Sequence, residues 1–300
     1  MIKINNIEIK TGNFPNGETY VDLPDSILSM ARMTGGYFID LKFEGNEEIW
    51  SLMQIVDKLK QTNKPRHLIL YYTPYSRMDR AEQNRLFSLK TFAALINGMD
   101  FQSVTIMEPH SDVTPALFNN VRVKNMSMQL AMDVLSNDFG ISATDEEQIF
   151  QDMADKKICM CWPDSGAEKR YFKQFQCPHT LTISKDRDFK TGYLKIKYVM
   201  GADDHQDCEH VIIVDDLCAK GTTFILAAKA LREKLPNLKT ITLCVTHCEN
   251  TIFDGEIFKT DLIDKVYTTD SLLDVSKFET ADYPKLNVKL LSEEGDYYEI

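Results

Sequence analysis

Short runs of apolar and β-branched residues, separated by stretches with helical spacing, constrain this chain more than any other feature. The clearest are His67–Tyr72, Ser103–Met107, Lys157–Cys161, Val211–Val214 and Thr240–Val245, each bounded by turn or charged residues. None approaches the roughly 18 apolar residues of a membrane span. Between them, Phe87–Asn97 and Thr223–Leu235 combine helical periodicity with good helix formers. Buried strands alternating with helices predict an α/β fold, a mainly parallel sheet flanked by helices. A chain of 300 residues has room for two cores of ordinary size. Thr144-Asp145-Glu146-Glu147 reads as the capped start of an acidic helix within 142–157. A boundary near residue 140 then gives two similar domains, 1–140 and 141–300.

A net charge of −11 leaves no visible basic stripe for a nucleic-acid backbone, so nucleic acid is not the expected partner. An anionic substrate would need local cations or a metal. The opening Met1-Ile2-Lys3-Ile4-Asn5 lacks the apolar core of a signal peptide, so the expected setting is cytoplasmic and off the membrane. Seven cysteines, an odd number with no paired CxxC units, predict buried structural thiols rather than disulfides or zinc.

The strongest local feature is Val211-Ile212-Ile213-Val214-Asp215-Asp216-Leu217-Cys218-Ala219-Lys220-Gly221-Thr222-Thr223. It reads as a buried strand, two carboxylates, a small-residue loop and a helix. Carboxylates accept hydrogen bonds from ribose hydroxyls or hold magnesium through water. The loop and helix start offer N–H groups and a positive dipole end to phosphate. The same run also fits a strand whose helix is merely capped by Asp or Thr.

The run resembles the phosphoribosyl-diphosphate binding signature of type I phosphoribosyltransferases and of phosphoribosyl-diphosphate synthetases. Other segments, in order along nearly the whole chain, are similar to the synthetases. Phe14-Pro15-Asn16-Gly17-Glu18 resembles their Phe-Ser-Asp-Gly-Glu segment, which reaches a neighbouring subunit's ATP site. Thr73-Pro74-Tyr75-Ser76-Arg77-Met78-Asp79-Arg80 resembles their Tyr-Ala-Arg-Gln-Asp-Arg loop, which touches ATP. Glu108-Pro109-His110-Ser111 stands for Asp-Leu-His-Ala, and Trp162-Pro163-Asp164-Ser165-Gly166 for Ser-Pro-Asp-x-Gly. Ser184-Lys185-Asp186-Arg187 falls where their flexible catalytic loop carries Lys-Arg-Arg.

The resemblance implies two type I phosphoribosyltransferase-like domains and a diphosphoryl transfer from ATP to the anomeric hydroxyl of a phosphorylated ribose. Lys185 and Arg187 would be catalytic. Phe14, Asn16, Glu18, Arg77 and Asp79 would bind ATP, with ATP-site motifs in 1–140. His110 and Asp164 would hold Mg2+. Asp215, Asp216, Ala219, Lys220, Gly221, Thr222 and Thr223 would bind the sugar and its phosphate in 141–300. Taken singly, His110 fits a hydrogen-bonded structural residue and 185–190 a solvated charged loop.

Two departures bear on the acceptor. The family loop reads Asp-Thr-Gly-Gly-Thr, so an acid and a glycine are gone and Lys220 has entered. Loss of glycine at Thr222 predicts a remodelled phosphate cradle. Ribose 5-phosphate then competes with ADP-ribose, the acceptor of a branch whose product serves to rebuild NAD. Met78 for Gln, Asn16 for Asp, a shortened segment between Arg80 and Phe87, and Asn287–Ile300 without the family's closing helix put regulation and the usual hexamer in doubt. A homo-oligomer, at least a dimer, is expected. The rival classes are a non-catalytic regulatory relative and a stand-alone phosphoribosyltransferase.

Overall fold

The computed structural model describes residues 1–31, 33–82, 84–187 and 194–291, the side chains of 186, 187, 194, 195 and 280 excepted. It divides into two units, Met1–Asn125 with the chain from Leu290, and Met126–Lys289.

In the first unit, strands β1 (Ile2–Ile4), β2 (Ile7–Glu8), β3 (Lys10–Asn13), β4 (Thr19–Asp22), β5 (Tyr37–Leu41), β6 (Arg66–Leu70), β7 (Ser103–Met107) and β8 (Val121–Lys124) alternate with helices α1 (Asp25–Met30), α2 (Asn46–Lys60), α3 (Ser88–Gly98) and α4 (Val113–Leu117). The main sheet has the order β2-β1-β5-β6-β7-β8, with β5 to β8 parallel and β1 antiparallel at one side. Strand alternation sends Ile39, Leu41, Leu68, Leu70, Val104 and Ile106 to one face. There they meet Leu52, Ile55, Val56 and Leu59, which recur on one side of α2 at helical spacing. β3 and β4 form a separate hairpin.

The second unit carries α5 (Met126–Phe139), α6 (Glu146–Asp155), β9 (Ile158–Trp162), α7 (Ser165–Tyr171), β10 (Thr180–Arg187), β11 (Leu194–Met200), β12 (His210–Cys218), α8 (Thr222–Lys234), β13 (Thr240–Cys248), β14 (Lys265–Thr269) and β15 (Leu286–Lys289). Its sheet runs β11-β10-β9-β12-β13-β14-β15, parallel except for β11. Both faces are covered, which explains why these strands read as continuous apolar runs. Val211, Ile213, Ile241 and Leu243 pack under α8, while Ile212, Val214, Met160 and Trp162 pack under α5, α6 and α7.

The boundary falls at Asn125/Met126, ahead of the expected residue 140. Leu130, Ala131, Val134 and Leu135 of α5 are buried in the second core beside Ile212 and Val214. Burying a Val or Leu is worth about 1.5–3 kcal/mol each, so α5 is held by the second sheet; a linear reading does not show which sheet covers the helix before residue 140. Among the described residues no helix is long and apolar enough to cross a membrane.

Candidate active site

Ligand sites in open α/β sheets sit at the carboxyl ends of the strands, and the charged candidates of each unit gather there. In the first unit the loop after β6 folds back on itself, with Ser76 N–H donating to Thr73 O (3.2 Å) and Met78 N–H to Tyr75 O (2.8 Å). Tyr75 has a left-handed backbone, φ 64. The turn buries Asp79 while leaving Arg77 exposed. Arg80 Nε donates to Asp79 Oδ1 at 3.0 Å. Burial alone would raise the Asp79 carboxyl, but the Ser111 hydroxyl, Arg80 and the charge of His110 outweigh it and hold the acid below its ordinary range. His110, a candidate from a different loop, is thus near enough to Asp79 for its charge to act on it.

Phe14, Asn16 and Glu18 occupy the turn of the β3–β4 hairpin. Phe14 N–H donates to Glu18 O (2.8 Å), Gly17 N–H to Phe14 O (2.8 Å), and Asn16 Nδ2 to Glu18 Oε2 (2.8 Å). Gly17 supplies φ 88, the left-handed position that glycine adopts without strain. The Phe14 ring stays exposed, 5.1 Å from that of Tyr20.

In the second unit, Asp164 caps α7: Ala167 N–H donates to Oδ1 at 2.9 Å. Its other oxygen accepts from Lys185 Nζ at 3.1 Å. Burial works to raise the Asp164 carboxyl, and the Lys185 charge with the Ala167 and Gly166 amides prevails, holding it low. Lys185 was expected on a loop; it lies on β10, which pairs antiparallel with β11 from Thr182 to Arg187 and has an irregularity between Ser184 and Lys185. The β11 backbone satisfies this segment, which its charged composition concealed. The Arg187 side chain lies outside the described residues.

Asp215 and Asp216 were expected after a strand, yet β12 continues through Cys218. The two acids therefore belong to the strand itself, and Asp216 N–H donates to Asp215 Oδ1 at 2.9 Å. Asp216 is 3 % exposed and pairs with Arg170 Nη1 at 2.9 Å. Asp215 remains half-buried. Burial, then the charges of Asp216 and Asp164 and a hydrogen bond with Asp216, push its carboxyl well above the ordinary range. Asp164, Lys185, Asp215, Asp216 and Arg170 thus form one electrostatic group at the ends of β9, β10 and β12.

Arg170 was not among the residues singled out from the sequence. Its signal was present: Ala167, Arg170 and Tyr171 stand at i, i+3 and i+4, and the first and last are core residues, so the arginine shares their inward side. Its guanidinium also sits 5.5 Å from the Tyr171 ring centre. Beneath the acids, Ser127 Oγ donates to Asp215 O (2.8 Å) and lies 2.8 Å from Thr246 Oγ1, while Tyr171 OH donates to Ser127 Oγ (3.4 Å). This buried hydroxyl chain fixes the strand end from α5, α7 and β13.

The loop from Ala219 turns at Gly221, φ 77, which caps α8. A Cβ there would lie 2.2 Å from Ile257 Cδ1. Lys220 and Thr222 are exposed, and Thr223 is half-buried. Thr222 is the first residue of α8. A helical position does not require glycine, so the conformational objection to threonine there falls away: the left-handed residue of this turn is Gly221. The first N–H groups of a helix have no intrahelical acceptor and face an incoming anion.

No family model matches the chain. The ribose-phosphate pyrophosphokinase of Sulfurisphaera tokodaii is 24% identical over 238 residues, covering 78% of this chain and 74% of that protein. That of Mycoplasma pneumoniae is 26% identical over 276 residues, covering 88% and 76%. The fold matches the crystal structure of phosphoribosylpyrophosphate synthetase from Mycobacterium smegmatis with a TM-score of 0.69 at 20% identity, over 95% of this chain and 86% of that one. By sequence the chain is similar to the ribose-phosphate pyrophosphokinases, and it shares the fold of a phosphoribosylpyrophosphate synthetase.

Proposed function

We propose that the chain is a diphosphotransferase that moves the β,γ-diphosphoryl group of ATP to the anomeric hydroxyl of ribose 5-phosphate. The observation that carries this reading is the convergence of Lys185, three aspartates and Arg170 at the carboxyl edge of the second sheet, next to the amino end of α8. The sugar's 1-oxygen attacks the β-phosphorus. The new oxygen–phosphorus bond replaces the bridge to the α-phosphate, AMP leaves, and the hydroxyl proton is released. Charge builds on the bridging and equatorial oxygens, so catalysis is mostly positioning and electrostatic stabilisation. Lys185 and Arg187 are assigned that task, Asp215 the ribose hydroxyls, and Asp216 is held by Arg170 as the rigid partner behind it. Gly221, Thr222 and Thr223 receive the 5-phosphate, with Ala219 and Lys220 at the rim.

Magnesium enters with ATP. It takes one or two carboxylates and keeps several waters. Among the described residues there is no group of three or more His, Cys, Asp or Glu that could hold an ion. His110 in the first unit and Asp164 in the second would each offer one donor, the latter once Lys185 turns to the phosphates. Phe14, Asn16, Glu18, Arg77 and Asp79 are assigned to ATP. The Phe14 hairpin would serve a neighbouring copy in a homo-oligomer, at least a dimer. A cytoplasmic setting agrees with seven free, buried cysteines.

One observation favours a second acceptor. Lys220, exposed where the family loop has no cation, would suit the added phosphate of ADP-ribose. Incubation of the protein with magnesium, ATP and each sugar, with products weighed by mass spectrometry, tests both. Phosphoribosyl diphosphate and AMP from ribose 5-phosphate is the expected result. AMP from ADP-ribose alone overturns it in favour of the second acceptor. Intact ATP binding with no turnover of either sugar would point to a non-catalytic relative.

A further inference from the structure

The first unit has a cavity of about 920 Å3 at the opposite end of its sheet from the Asp79–His110 loops. Its wall takes in residues just before or at the starts of β5, β6, β7 and β8, among them Gly36, Arg66, Gln102 and Asn120. The four strands are parallel, so this is their amino end. Sites of open α/β sheets lie at the other end; the cavity is therefore distinct from the ATP site proposed above.

Its chemistry is cationic in a chain of net charge −11. Lys60, Lys64 and Arg66 line it, against the single carboxylate of Asp100. Arg66 is 9 % exposed. Its Nη1 donates to Lys64 O (3.3 Å) and its Nη2 to Asp100 O (3.0 Å), while the buried Nε has no partner. A buried donor left unmatched is costly, and an anion or water in the cavity relieves it. Beside these cations, Phe38 and His67 stack with ring centres 4.9 Å apart and planes at 15°, and both line the cavity. His67 Nδ1 lies 2.8 Å from Ser103 Oγ, which fixes the ring. The site therefore pairs a cationic corner with an aromatic wall made of this stacked pair, in a volume within the usual range of roughly 300–1,000 Å3 for small-molecule sites.

We propose that this cavity is an accessory binding site for a small organic phosphate, its phosphate held by Lys60, Lys64 and Arg66 and its planar group packed on the Phe38–His67 stack. A bare phosphate would leave the aromatic wall unused. The test is hydrogen exchange of the full chain with AMP, adenosine or inorganic phosphate, paired with calorimetry. AMP is expected to protect amides in 63–67 and 100–102, with adenosine and inorganic phosphate each at least about tenfold weaker. Substituting Lys60→Gln and Lys64→Gln, which keeps the backbone carbonyls that Arg66 donates to, is expected to weaken the AMP isotherm about tenfold or more while leaving the melting temperature unchanged. Protection confined to the loops at the carboxyl ends of the strands, or an isotherm indifferent to the lysine substitutions, would overturn the site. Inorganic phosphate binding as tightly as AMP would overturn the aromatic half of the assignment.

Discussion

Replacing Arg170 with methionine keeps most of the side chain's apolar stem and removes its charge. The side chains of Arg170 and Asp216 are 18% and 4% exposed, so the carboxylate left behind is almost wholly sealed from water. Breaking a buried pair by removing one partner costs about 3–5 kcal/mol, mostly the penalty of the stranded charge. Water reaches the arginine's end, which places the expected loss near the lower limit, about 3 kcal/mol. With an m-value of about 2 kcal/mol/M in urea, the midpoint should fall by roughly 1.5 M. Fluorescence of Trp162, fully buried in the second unit, follows the transition, and Trp50 in the first unit is exposed enough to separate the two. Lys277→Met is the control, because the Lys277–Asp274 pair leaves the lysine 66% exposed and such pairs are worth at most about 1 kcal/mol. In a double-mutant cycle with Asp216→Asn, the two losses should fail to add by about 2 kcal/mol or more. A loss for Arg170→Met no larger than that of the control, or strict additivity in the cycle, refutes a buried pair behind the acid strand.

Asp215→Asn should act with the opposite sign. The folded carboxyl is raised above its ordinary range by burial and by Asp216 and Asp164, so its contribution to stability is complete at low pH and is lost as pH rises through the raised value. The variant should therefore match wild type in acid and exceed it increasingly toward neutral and alkaline pH in urea titrations, while binding sugar worse; a deficit that grows with pH would contradict the assignment. Gly221→Ala should cost roughly 2–4 kcal/mol, because φ 77 is strained for alanine and the buried Ile257 must repack around a Cβ 2.2 Å away; a change below about 1 kcal/mol in thermal or urea melts would show that the turn relaxes. Lys185→Met should lower kcat by about 10²–10³-fold if its cation stabilises the transferring group, with little loss of stability. Unchanged turnover in a steady-state AMP-release assay would leave the lysine only its pairing with Asp164.

Much of the architecture is written in local pattern. Continuous β-branched runs at Val211–Val214 and Thr240–Val245 become central strands, because a strand covered on both faces has no polar side to alternate with. Thr144-Asp145-Glu146-Glu147 becomes the start of α6, where Asp145 Oδ2 accepts from Gln148 N–H at 3.0 Å; a cap is decided within four residues. Gly221 is kept as glycine at the one left-handed position of the acid loop, and the ordered motifs carry the family likeness.

What a linear reading missed depends on neighbours far along the chain. The charges of 184–187 suggest a loop until β11 supplies a strand partner. Residue 140 looks like a boundary until α5 is seen to bury its apolar side on the second sheet. Side by side in sequence, Asp215 and Asp216 look interchangeable; in the fold Arg170 on α7 pins one while burial and repulsion raise the pKa of the other. The sequence by itself determined the alternation of strands and helices, the caps and the acid-loop motif, since these depend on propensities and spacings within a few residues. Only the tertiary structure decided which carboxylate is paired, which is perturbed and where the cations gather, because Coulomb forces and desolvation depend on distances through space.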